Sequence, residues 1–300
     1  NYMVFLVFRI LTAVVSGTVV SISMTYAEDV ASIPEHIPGV IAGVFSGFSV
    51  ASVVGVPIAS TITQTFGWRA AFITIFVATL ALLALLFVKL PRQNRLKAGS
   101  ILEQFKLFLD KRISIGCAIV FLAGASTYCF YTYLTPIFQQ ELHIPDSMLS
   151  LALLIFGIAA ITSNVSSGQV ANKTGIRMLP LIYVIQTVCL LLLPIATHNL
   201  ISGGLVLFIL GVMMYLLNSP LQMHFLNIAT REHPACVNLA SSLISVFFNF
   251  GIAAGSAMGG VIVKYAGLRF VGIGGAVPSI GAIICAVILL QIMKPGADIR

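Results

Sequence analysis

The side chains able to do chemistry in this chain are mostly stranded in apolar sequence. Arg9 stands inside FLVFRILTAVV, Asn164 lies in a long run of small and apolar residues with Gly168 one turn on, and Asn249 follows SVFF. Tyr128, Tyr131, Thr132 and Thr135 crowd the stretch GASTYCFYTYLTP and fall on one broad face of a helix. Asn218 and Gln222 are four apart, so they share a helical face. A buried amide without a partner is costly. Each of these groups must therefore bond to a neighbouring helix, to water or to a bound solute. Two readings stand for each: glue between helices, or the lining of a wet cavity. Tyrosine and amide groups suit a neutral polar or amphipathic solute, and Met213, Met214 and Met223 add adaptable apolar surface. Arg9 costs about 2.5–3.5 kcal/mol at a bilayer centre. It either faces a cavity or snorkels to the interface. It stays protonated, so it can hold a carboxylate but not carry a proton.

Other chemistry is not encoded. No Asp or Glu interrupts the apolar runs, and there are no paired carboxylates, no HExxH and no GxS with a nearby His. The five cysteines form no CxxC pair and the five histidines have no ligand spacing. The expectation is no metal, no cofactor and no enzyme.

The elements that position these groups follow from composition. Hydrophobic residues make up 59% and charged residues 8% of 300 residues, with a mean hydropathy of +1.06. Soluble domains carry about 25% charged residues, so the solvent of this surface is lipid. A bilayer needs about 20 apolar residues per helix. Nine runs qualify: 4–26, 40–62, 70–90, 113–135, 148–168, 178–196, 202–224, 239–262 and 269–291. Their continuity predicts an all-α membrane protein rather than a barrel, whose strands alternate.

The net charge of +7 is explained by topology. If the nine spans alternate, twelve basic residues share one side with the long loop 91–112. Only Arg69, Lys264 and Arg269 lie on the other. Cytoplasmic loops carry the Lys/Arg excess. The reading is a multi-pass cell (inner) membrane protein with loop 91–112 and the C-terminus cytoplasmic, and no nucleic-acid partner. Within that loop, apolar residues at 101, 102, 105, 108 and 109 have helical spacing. A surface-lying helix and a plain basic linker both fit.

Residue n resembles residue n + 200. Phe48 meets Phe248, Gly55 meets Gly255, Ile62 meets Ile262, Gly67 meets Gly267 and Arg69 meets Arg269. Pro34 meets Pro234, and Ala59–Ser60 meets Gly259–Gly260. A repeat in the same orientation marks a transporter with two halves related by an axis along the membrane normal. The expected domains are a first bundle ending at residue 90 (three spans, 1–90), a cytoplasmic linker 91–112 and a six-helix bundle 113–300. The same arithmetic expects roughly 90 further residues, about three spans, ahead of Asn1 in a complete two-halved protein.

Three motifs give the chain a family resemblance. Gly47-x7-Gly55-Val56-Pro57-x-Ala59-Ser60 resembles the antiporter motif of a fifth helix, with Ala59 and Ser60 where two glycines are usual. FRILTAVVSG resembles the fourth-helix motif of an arginine followed by small residues, here Arg9, Ala13 and Gly17. GQVANKTGIR, with Gly168, Asn172, Lys173, Gly175 and Arg177, resembles the second copy of a cytoplasmic gating loop, with Asn172 where an acid is usual. Together they resemble the major facilitator superfamily, most closely its twelve-helix drug and sugar efflux antiporters. The resemblance implies helices 4–12 of 12 and a monomeric secondary transporter that exports small solutes, sugars or drug-like amphiphiles, by alternating access with protons as coupling ion. An importer of a nucleoside or sugar on the same fold is the alternative. It implies gating or coupling roles for Arg9, Gly17, Gly47, Gly55, Pro57, Gly168, Asn172, Lys173, Gly175 and Arg177. The cavity is expected at Tyr128, Tyr131, Thr132, Asn164, Asn218, Gln222 and Asn249. It further implies that the kinked glycine face of the fifth helix packs on the opposite half and helps seal the outer side when the cavity faces the cytoplasm.

Overall fold

Pro57 decides how the second apolar run folds. In the computed structural model, α1 (Ile37–Val50) passes into a π turn, Ala51–Gly55, and then into α2 (Val56–Phe66). Proline lacks an N–H and is tolerated in the first turn of a helix. The wide π turn just before it absorbs the lost register, so the run is two helices rather than one. The structure describes residues 36–89 and 107–293, with scattered helical positions between 3 and 23. No strand occurs among the described residues.

α3 (Trp68–Lys89) follows at once, because Gly67 turns the chain with φ 84° and ψ 162°. Its N–H bonds to the Thr63 carbonyl at 3.0 Å and its carbonyl accepts from Ala70 at 3.1 Å. Two hundred residues on, Gly267 has φ 100° and ψ 161°, donates to Ile262 at 3.0 Å and accepts from Phe270 at 3.2 Å. Side chains rarely tolerate such φ values. The sequence repeat is therefore matched by the same backbone turn.

The remaining helices are α4 (Lys111–Tyr131), α5 (Asp146–Lys173), α6 (Leu179–Ala196), α7 (Leu200–Met213), α8 (Asn218–Glu232), α9 (Val237–Tyr265) and α10 (Val271–Ile292). Seven helices among the described residues are long and apolar enough to cross a membrane, α7 and α8 counting as one. The first expected span, 4–26, lies mostly outside the described residues, as does most of the loop 91–112. The end of that loop is a 3-10 turn, Leu107–Leu109, with Leu107 fully buried. Two expected spans are present but carry a break. The run 202–224 breaks at Met214–Leu217, because Pro220 has no N–H for the carbonyl four residues back. The run 113–135 breaks at Thr132–Tyr133, where Pro136 withholds the same bond from Thr132, and resumes as a short helix, Leu134–Pro136, that passes into a π turn, Ile137–Glu141.

Small residues set the tightest packing. A Cβ at Gly255 would collide with the backbone of Ala125, one at Gly251 with Phe121, and one at Gly259 with Cys129. One at Gly124 would sit 2.8 Å from the Phe248 carbonyl. α4 and α9 thus touch backbone to backbone, the contact that small residues allow in lipid. Polar side chains add ties: Gln186 donates to Ser126 and Thr127, and Thr187 donates to Ser279. Outward surfaces are apolar, including nearly all of α3, as lipid-facing helices are.

α1 packs on α5 and α8. Ile41, Ala42 and Phe45 are the buried residues of that face. A Cβ at Gly39, Gly43, Gly47 or Gly55 would meet nothing among the described residues within 4 Å. The glycines at 43 and 47 lie across the helix from the packed residues, so larger apolar side chains make this contact.

Candidate solute-binding site

The break between α7 and α8 gathers the polar groups. Breaking a helix frees backbone groups, which must find partners when buried. Ser163 on α5 accepts the Tyr215 N–H at 2.8 Å, and the Ser167 and Ser219 hydroxyls meet at 2.8 Å. Asn218 donates to the Asn164 Oδ1 at 2.9 Å, and Asn164 donates to the Phe45 carbonyl at 3.1 Å. Asn164 and Asn218 are buried. In this structure they tie α1, α5 and α8 together. Gln222 is also buried; it donates to the Ser241 carbonyl at 3.3 Å, and its Oε1 has no partner. Asn249 is exposed and bonds to Ser245 on its own helix at 2.7 Å.

Beside the break is an aromatic cluster from four elements. Tyr128 stands edge-on to Tyr131, ring centres 5.2 Å apart, and edge-on to Phe248 at 5.9 Å. Tyr131 meets Phe156 at 5.6 Å, and Tyr215 meets Phe248 at 6.1 Å. The Tyr128 and Tyr215 hydroxyls lie near each other. Thr132 is exposed at the cluster's edge, and its hydroxyl meets that of Ser256 on α9 at 2.8 Å. Phe156 is buried, whereas the three tyrosines and Phe248 are half-buried. Such a surface offers ring faces for C–H groups and hydroxyls for hydrogen bonding. Sequence reading named Tyr128, Tyr131 and Thr132 but missed Tyr215, Phe156 and Phe248. The available signal for Tyr215 was its place just before Asn-Ser-Pro, a helix-break sequence.

The motif residues are placed less evenly. Gly168 is buried on α5; Asn172 and Lys173 end that helix, exposed. Gly175 has φ 55° and opens the 3-10 turn Gly175–Met178, which holds the exposed Arg177. Pro57 lies in the first turn of α2. Arg9 and Gly17 lie outside the described residues.

A charged knot closes the Lys111 end of α4. Asp110 caps the helix by accepting the Arg112 N–H at 2.8 Å. The Arg112 guanidinium binds Asp110 and, in a two-pronged pair, Glu232 at the end of α8. Burial pushes the Asp110 carboxyl up, but hydrogen bonds and charge from Arg112 outweigh it and hold the group below its ordinary value.

Comparison with known proteins agrees with this architecture. The model of the Major Facilitator Superfamily matches residues 1–238. The chain is 30% identical over 280 residues to the Bacillus subtilis protein named "Uncharacterized MFS-type transporter YtbD", covering 92% of this chain and 70% of the relative. It is 25% identical over 293 residues to the Escherichia coli K12 "Inner membrane transport protein YdhP", covering 97% and 72%. It is 28% identical over 231 residues to a Pasteurella multocida protein named "Probable sugar efflux transporter", covering 77% and 56%. The chain belongs to the major facilitator superfamily. It is a multi-pass membrane transporter for small molecules and not an enzyme.

Proposed function

We propose that this transporter exports small neutral or amphipathic solutes, sugars or drug-like molecules, by alternating access coupled to inward proton flow. The observation that carries the reading is the convergence of Tyr128, Tyr131 and Tyr215 with Phe156 and Phe248 beside a broken helix. Transporter sites are typically built from such discontinuous helices at the interface of two repeats. Export is favoured by the Gly/Pro segment around Pro57, and by the relative named for sugar efflux. Proton coupling rests on the family resemblance. In the proposed layout, a first bundle ending at residue 90 and a second bundle, 113–300, act as a monomer about the linker 91–112. Linker and C-terminus are cytoplasmic, as the basic residues suggest.

That orientation also gives the structure a place in the cycle. Ile37 is then at the cytoplasmic end of α1, and Ile41, Ala42 and Phe45 hold the cytoplasmic half of α1 on α5 and α8. Among the described residues, α2, nearer the outside, packs chiefly on α3. On this reading the inner ends are closed, as in an outward-facing transporter.

Whole-cell efflux tests the proposal. Cells expressing the gene with its flanking coding sequence would be loaded with pentoses, nucleosides or cationic dyes. Export of one class is expected, abolished by a protonophore and reduced roughly tenfold by Tyr128→Ala, which loses two ring contacts. Arg9→Ala is expected to abolish it. Inward accumulation, or efflux indifferent to the protonophore, would contradict the proposal.

A further inference from the structure

His224 is the imidazole that sits within a candidate span, among the described residues. It lies on α8, 7% exposed, with its ring 5.9 Å from that of Phe225. Its ring lies near Arg112 on α4, whose N–H is given to Asp110. The His224 Nε2 is buried without a partner among the described residues. An imidazolium carries a proton on both ring nitrogens, so protonation would leave the N–H at Nε2 unbonded. Buried polar atoms of this kind are rare in proteins and call for a role.

We propose that His224 is a proton-binding site whose occupancy controls whether the end of α8 stays closed against α4. A proton on Nε2 would make it a donor, and the closed packing offers no acceptor. It would also set an imidazolium beside the Arg112 cation, whose two carboxylate partners, Asp110 and Glu232, are already engaged. Among the described residues, the elements packed on α8 supply no other counter-charge nearby. α1 carries no ionisable side chain, α9 carries only Lys264, at its far end, besides Tyr265, and α5 carries Lys173 at the near end and Asp146 at the far end. Lys111 adds a cation on α4 and Arg177 one on the 3-10 turn, while Arg231 and His233 flank Glu232 itself. Closure and protonation therefore exclude each other. Water can accept the new N–H only where the end of α8 has parted from α4. On the proposed orientation this end faces the cytoplasm, so a falling cytoplasmic pH holds the transporter open to its cargo. The device does not depend on which solute is carried.

Hydrogen–deuterium exchange of amides 224–232, on the full-length protein in nanodiscs between pH 8 and 5.5, tests this. After correction for intrinsic exchange, one proton linked to opening raises the open fraction up to about tenfold per pH unit. Wild type is expected to approach that slope and His224→Gln to be flat. Glu232→Gln, which weakens the knot without touching the ring, is expected to move the wild-type curve to higher pH. A flat wild-type curve overturns the proposal, as does a wild-type slope in His224→Gln. If His224→Gln does not fold, coincident wild-type and Glu232→Gln midpoints overturn it.

Discussion

The two copies of the repeat carry small residues in the same register, yet their backbones differ. In the second copy, Gly251, Gly255 and Gly259 bring α9 onto the backbone of α4. In the first, the matching Ala51 and Gly55 stand exposed in a π turn, and nothing among the described residues lies within 4 Å of where a Gly55 Cβ would be. One residue accounts for the difference in backbone. Pro57 has Ala257 as its counterpart. Without a proline, α9 runs unbroken for 29 residues. With one, the first copy divides, and α1 is held instead by an apolar face and by the Phe45–Asn164–Asn218 tie. The proline decides the backbone, one helix or two, and the glycines decide how closely the second copy packs on α4.

The largest effect should come from filling the packed copy. Gly255→Leu is expected to cost about 3 kcal/mol or more, read as lost monodispersity in detergent and a lower Tm. If Gly255→Leu is silent, the contrast between the copies fails. Asn164→Leu should cost about 1–3 kcal/mol, since it strips partners from Asn218 and the Phe45 carbonyl. Its signature would be faster proteolysis between the halves with α4–α9 packing intact. Gly67→Ala and Gly267→Ala should each cost about 1–2 kcal/mol through their positive φ. Similar losses in thermal unfolding would sharpen the repeat, and a loss at one site alone would blunt it. Smallest of all, Gly47→Ala should change stability by less than about 0.5 kcal/mol. Reduced efflux at unchanged Tm in Gly47→Ala would place the open stripe in the transport cycle rather than in the scaffold.

Much of this architecture was legible in the sequence, because lipid forces spans to be long, apolar and helical. The repeat was legible as well, and Gly67 and Gly267 share a backbone turn that residue identity alone hinted at. Helix breaks were harder to read. Pro220 and Pro136 each remove one hydrogen bond, but hydropathy runs on unchanged across both, so the breaks at Met214–Leu217 and after Tyr131 were smoothed over. The site was half legible. Tyr128, Tyr131 and Thr132 share one helix, and period alone put them on a face. Tyr215, Phe156 and Phe248 come from three other elements, and only packing brings them near. Asn164 and Asn218 illustrate a different limit: an amide in a span needs a partner, and the sequence does not say whether that partner is a solute or another amide.

Alternating access is the central claim, and opposed movement at the two ends tests it most directly. Spin labels on Phe66 and His143 would report the end proposed to face outward, and labels on His36 and Lys173 the end proposed to face the cytoplasm. All four positions are exposed. Pulsed electron resonance on the full-length protein, with and without a transported solute, would give both distances. The account predicts two populations at each end, with the outer distance shortening as the inner one lengthens. A single fixed distance at both ends, or movement of both in the same sense, would contradict it.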